Sequence, residues 1–196
     1  MKTDNTFYPV GSWEQAAHSI VQEIYDLTYS NGTTDISTLI KMMRHKVDET
    51  IGATKNLTNT TSPTAIYSVQ QMWYFLARHA LTILTNTGHR PHIDTLTQLY
   101  ITKQQDYGSE NIAKFGTAGL LIRIHDKIAR LENIIQRSNN NFNTAIKINA
   151  VQDETIIDTL YDVIGYSTIG LMWLKTDTDG NNAFLRPLSN KNAVAC

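Results

Sequence analysis

The 196-residue chain sets 17 Lys and Arg against 18 Asp and Glu, a formal net charge of −1, and 41% of its residues are hydrophobic. That apolar fraction sustains a packed core and excludes a disordered chain, and the balanced charge argues against a protein whose main task is gripping duplex DNA. The lone cysteine, Cys196, rules out an internal disulfide; with no signal-peptide core in "MKTDNTFYPVGSW" and no apolar run of about 18–20 residues, the expectation is a soluble cytoplasmic protein with no membrane partner.

Along the chain, helical periods alternate with polar punctuation. In "GSWEQAAHSIVQEIYDLTYSNG" (11–32), Ser12 is placed to cap a helix, with Gln15 three residues on and Ile20, Ile24 and Leu27 at helical spacing before the Asn31-Gly32 stop. "TDISTLIKMMRHKVDETIG" (34–52) repeats the pattern with Ile36, Leu39, Ile40, Met43 and Val47. Residues 53–63 have linker composition, so 1–62 reads as an N-terminal helical region with its linker. After Pro63 comes a long helix to Gly88, apolar nearly all round and therefore central, with Trp73, Tyr74 and Phe75 in the core. "HIDTLTQLYITKQQDYG" (92–108) is a shorter helix, and the glycine pair of "FGTAG" (115–119) separates it from "LLIRIHDKIARLENIIQR" (120–137). There Leu121, Ile124, Ile128, Leu131 and Ile135 form one apolar stripe. "SNNNFN" (138–143) reads as a loop, 151–175 as the last helix, and 177–196 as an irregular tail. The fold class predicted is all-α, a bundle of about six main helices, with 63–176 as the core that carries the site.

Charge points to where chemistry sits. Arg123, Asp126, Lys127 and Arg130 project away from the apolar stripe of the 120–137 helix. In "DETIIDTLYDVIGYS" (153–167), Glu154, Asp158 and Asp162 recur every four residues, so on a helix each step drifts only about 40°. No Lys or Arg lies between Lys147 and Lys175 to relieve them, and the helix continues into apolar sequence where an unpaired carboxylate is costly. Two partners satisfy that demand equally: the cations Arg123, Lys127 and Arg130 of the preceding helix, or a divalent ion, with oxygen ligands of this kind suiting Mg²⁺ or Mn²⁺.

Three blocks in order, "KQQDYG" (103–108), "GTAGLLIRIHDKIARLENI" (116–134) and "DETIIDTLYDVIGYSTI" (153–169), resemble the nucleotide-modification-associated domain common in bacteriophage genomes, over about residues 96–175. That family is similar in plan to MazG-like all-α nucleoside-triphosphate pyrophosphohydrolases. The resemblance implies a MazG-like C-terminal part, a Mg²⁺-dependent (or Mn²⁺-dependent) pyrophosphohydrolase acting on a nucleoside triphosphate, a homo-oligomer, and the host cytoplasm as its location. It implies that Asp126, Asp158 and Asp162 hold the ion, with Glu154 a further ligand or the group orienting the attacking water, so that Glu154 and Asp158 are the catalytic pair. Arg123, Lys127 and Arg130 would meet phosphate oxygens, Lys103 and Asp106 would close the rim, and Tyr107 would stack on a base. The apolar 63–87 and 163–174 stretches are where subunits would meet, with Trp173 packing either in the core or across that boundary.

Two alternatives use the same residues. A non-catalytic protein could sequester a nucleotide with these charges. The "HD" of His125-Asp126 invites an HD-type phosphohydrolase, with His89 or His92 as first metal ligand and Asp158 or Asp162 as last.

Overall fold

Among the described residues of the computed structural model there are seven α-helices: α1 (Trp13–Asp26), α2 (Ile36–Thr54), α3 (Pro63–Asn86), α4 (Ile93–Tyr107), α5 (Glu110–Arg137), α6 (Phe142–Asn149) and α7 (Ile156–Thr178). The structure describes residues 12–28, 35–54, 63–107, 110–149 and 155–178, the backbone alone at 52–54, 63–66, 104–107, 110–118, 147–149, 173 and 175–178. No strand occurs among the described residues, and the protein is an all-α helical bundle. None of these helices is long and apolar enough to cross a membrane.

Local chemistry sets most helix ends. Ser12 Oγ accepts the Gln15 amide at 3.0 Å, capping α1 as expected from the sequence. α3 stops in a Schellman turn: the His89 amide reaches Leu84 O at 2.8 Å and Gly88 takes φ +77, a conformation glycine adopts without a Cβ penalty. Asn139 does the same work after α5 at φ 54, with Asn140 N reaching Ile135 O at 2.9 Å. Asn141 Oδ1 then accepts the Thr144 amide at 2.9 Å and starts α6. Consecutive asparagines therefore end one helix and cap the next, which turns the expected loop at 138–143 into a tight corner followed by a helix of its own.

α5 departs from its expected start. The "FGTAG" segment does not separate two helices; it lies within α5, which begins at Glu110. Helix propensity disfavours each glycine by about 1 kcal/mol, and a preference of that size is readily overridden by tertiary context.

One apolar core joins all seven helices, including residues of α1 (Ile20, Ile24) and α2 (Ile40, Met43, Val47), so the N-terminal helices pack into the same interior as the rest. α3 and α7 make the most extensive helix pair, and α7 also lies along α5. The two apolar stretches expected to meet across a subunit boundary thus pack on each other within the chain. Glycines explain how closely α7 is approached. A Cβ at Gly170 would lie 2.5 Å from Trp73 Cε2, and one at Gly165 would lie 2.7 Å from Tyr100 Cε1. The indole of α3 and the phenol of α4 therefore rest directly on the α7 backbone.

Tyr25 and Tyr100 are buried and Tyr74 half-buried, each with its hydroxyl bonded inward. Tyr25 donates to Pro91 O beneath the Arg90 guanidinium, which sits 4.9 Å from its ring, and Tyr74 donates to Glu23. Burial pushes the Tyr25 phenol from 10.0 up to about 12, and raises Tyr74 and Tyr100 in the same direction. The folded chain therefore holds these protons more tightly than the unfolded chain. Their contribution to stability is complete below pH 10 and is lost as pH rises through the folded values. Urea midpoints should fall between pH 10.0 and about 12, and Tyr25→Phe should flatten that fall.

Candidate functional site

Asp162 faces inward from α7, one turn beyond Asp158. It is the point where three helices meet through charge. Lys103 of α4 donates to its Oδ1, and Lys127 of α5 donates to its Oδ2 at 2.8 Å. The carboxylate is only 16% exposed, the lysines 38% and 20%. Each oxygen thus has its own ammonium, delivered from a different helix. One turn back toward the α7 N-terminus, Arg130 Nη1 donates to Thr159 Oγ1 at 2.5 Å, and that hydroxyl donates to Thr155 O at 2.9 Å. Tyr100, on the same face of α4 as Lys103, hydrogen-bonds Tyr161 O at 3.0 Å. Burial, and then the nearby Asp162 carboxylate, hold its phenol well above its ordinary range. It is a fixed neutral donor that braces α4 against α7.

The other predicted residues whose side chains are described do not converge on Asp162. Asp126 is 74% exposed, with its Oδ1 3.9 Å from Nδ1 of the adjacent His125. Arg123 is exposed on α5. Asp158 is committed to a capping box: its Oδ2 accepts the Thr155 amide at 3.0 Å and the Thr155 hydroxyl at 2.7 Å, while Thr155 Oγ1 accepts the Asp158 amide at 3.1 Å. Asp158 thus lies in the first turn of α7 and Asp162 one turn further on. Glu154 lies outside the described residues, as do the side chains of Asp106, Tyr107 and Trp173. Breaking the capping box with Thr155→Ala should cost about 1 kcal/mol, read as a drop in thermal midpoint. Asp158→Asn should cost no more.

The described side chains around Asp162 are engaged with protein partners rather than arranged for a Mg²⁺ or Mn²⁺ ion. Among the described residues no three His, Cys, Asp or Glu side chains are grouped to hold a metal. Asp162 is already neutralised by two ammoniums, and Asp126 and Asp158 point to other partners. The HD-type arrangement fares no better. His125 lies 3.8 Å from Asp48 of α2, His92 lies 3.4 Å from Asp94, and His89 is 3.3 Å from Thr87 Oγ1.

No family model, curated protein or solved structure matches this chain. The site must therefore be read from its own geometry.

Elsewhere, α1, α2 and α3 border a cleft of about 670 Å³ whose lining includes Glu23, Asp26, Lys46, Tyr74, Phe75 and Arg78. Its charges are answered locally: Tyr74 donates to Glu23, Gln22 to Asp26 at 2.8 Å, and Lys46 to Glu49 at 2.9 Å. None of the candidate site residues read from the sequence lines it. Sequence reasoning overlooked Tyr100 and Thr159. A signal existed for one part of this neighbourhood, since Thr155-x-x-Asp158 is a capping-box pattern. Tyr100 carried none, because its role depends on Gly165 lying opposite.

Proposed function

We propose that the protein binds the phosphates of a nucleotide at the junction of α4, α5 and α7, through Lys103 and Lys127, with Arg130 beside them. The observation that carries this reading is the convergence of two lysines from different helices on one partly open point, where they already hold an anionic group. Two ammoniums fixed at the two ends of a carboxylate are also spaced to receive two oxygens of a phosphoryl group. Lysine is a common phosphate ligand because it acts as a point charge needing no particular plane. The neutral overall charge accords with a small anion met locally rather than with a nucleic acid backbone.

Binding without cleavage is the function this arrangement supports best. Two of the carboxylates that would carry hydrolysis are occupied: Asp158 by its cap, Asp162 by the lysines. Triphosphate hydrolysis with Mg²⁺ or Mn²⁺ is a second proposal, supported by the three sequence blocks and by the inward position of Asp162. A homo-oligomer and a cytoplasmic location, that of the host for a phage protein, belong to the same proposal.

The test is to incubate the purified chain with each nucleoside and deoxynucleoside triphosphate, with and without Mn²⁺. The complex is then isolated and denatured, and the released nucleotide is chromatographed. Recovery of intact triphosphate, one per chain, is the expected result. Monophosphate and pyrophosphate would replace it with the hydrolytic reading. Retention of no nucleotide under any condition would contradict both.

A further inference from the structure

We infer that Asp162 is a built-in competing anion, which occupies the two lysines and admits only ligands carrying more than one negative charge at a single phosphoryl group. The inference rests on the phosphate-binding reading above and names the class of ligand for that site: terminal phosphates, as in nucleoside mono-, di- and triphosphates, and not phosphodiesters.

The geometry places Asp162 as a competitor. Its two oxygens each hold one ammonium. An incoming anion must displace the carboxylate or share the lysines with it. Displacement by a monoanion exchanges one negative charge for another, and leaves Asp162, 16% exposed on α7, without its partners. Leaving a mostly buried carboxylate unpaired is strongly unfavourable, so a diester gains nothing by the exchange. Sharing the lysines sets the ligand's charge against that of Asp162. A terminal phosphate, whose second pKa is about 6, is largely dianionic at neutral pH. It brings twice the charge to the same ammoniums and outweighs the single carboxylate. Lys103, at 38% exposure, is the side chain through which a ligand would enter the exchange.

The prediction runs opposite to that for a metal ligand. If Asp162 held an ion that in turn held phosphate, Asp162→Asn would weaken nucleotide binding. As a competing anion, its neutralisation must strengthen it. Asparagine keeps the shape and can still accept from one lysine.

Calorimetric titrations of wild type and Asp162→Asn with the four deoxynucleoside 5′-monophosphates, and with the 3′,5′-cyclic monophosphates of the same nucleosides, test this. For wild type the 5′-monophosphate of the preferred base should bind at least about tenfold more tightly than its cyclic counterpart. Asp162→Asn should tighten both by about tenfold or more, bringing the cyclic ligand into measurable range. Equal wild-type affinity for the two ligand classes would overturn the inference. So would unchanged or weaker binding by Asp162→Asn when wild type binds. Absence of binding by wild type would instead remove the phosphate-binding reading, and this inference with it. Should Asp162→Asn fail to fold, Asp162→Ser and the wild-type ratio decide the matter.

Discussion

Truncating Trp73 to alanine should destabilise the protein by about 3–5 kcal/mol, measured as a shift in the denaturant midpoint at constant slope. The indole is fully buried on α3, in the most extensive helix pair of the bundle. It rests against Gly170, where even one methyl would come within 2.5 Å of the ring. The converse substitution, Gly170→Ala, is the more discriminating of the two. In a solvent-exposed helix, alanine for glycine would gain about 1 kcal/mol. Here overpacking should cost about 1–3 kcal/mol, so the net change should be destabilising or at best neutral. Gly165→Ala should behave in the same way against Tyr100. A clear gain in stability from Gly170→Ala would mean that α3 and α7 are not in the close contact described.

The second large effect concerns binding. Replacing both Lys103 and Lys127 with methionine should weaken triphosphate binding by about a hundredfold or more. The estimate takes each charge-assisted hydrogen bond at about 1.5–3 kcal/mol, with every 1.4 kcal/mol worth tenfold. Single replacements should each cost about tenfold. The partial exposure of Lys103 reduces its share through solvent screening. Removing both lysines also strands Asp162, so the double variant should lose stability. Adding Asp162→Asn to that double variant should restore the stability and leave the binding loss in place. That separation distinguishes a ligand-binding pair from one that only staples α4 and α5 to α7. Wild-type affinity should also fall with added salt, as expected for an ionic contact reached from solvent.

Where the sequence was informative, the reason is that the signal was local and repeated. The stripe Leu121, Ile124, Ile128, Leu131 and Ile135 is buried along its whole length, as its period requires. Ser12, Gly88 and the apolar run after Pro63 behave as their chemistry dictates. What escaped was what depends on a neighbour or on a helix boundary. With α7 starting at Ile156, Asp158 serves as a cap and Asp162, one turn on, as half of an ion pair. Four-residue spacing could not tell these apart, because it does not show which carboxylate falls in the first turn. Asn139 and Asn140 hid the corner between α5 and α6, since asparagine reads equally as loop or cap. At the site, the sequence did point to the partners of Asp162: Lys127 as a cation of the preceding helix and Lys103 as a residue of the rim. It could not show that both would fall on one carboxylate. That depends on α4 and α5 flanking α7, a tertiary fact carried partly by Tyr100 lying across Gly165.

The most direct test is a crystal structure with a non-hydrolysable triphosphate analogue bound. Phosphate oxygens should stand about 2.7–2.9 Å from Nζ of both Lys103 and Lys127, with Asp162 released from at least one of them. An analogue seated elsewhere, as in the cleft of Tyr74, Phe75 and Arg78, with both lysines still on Asp162, would contradict the account.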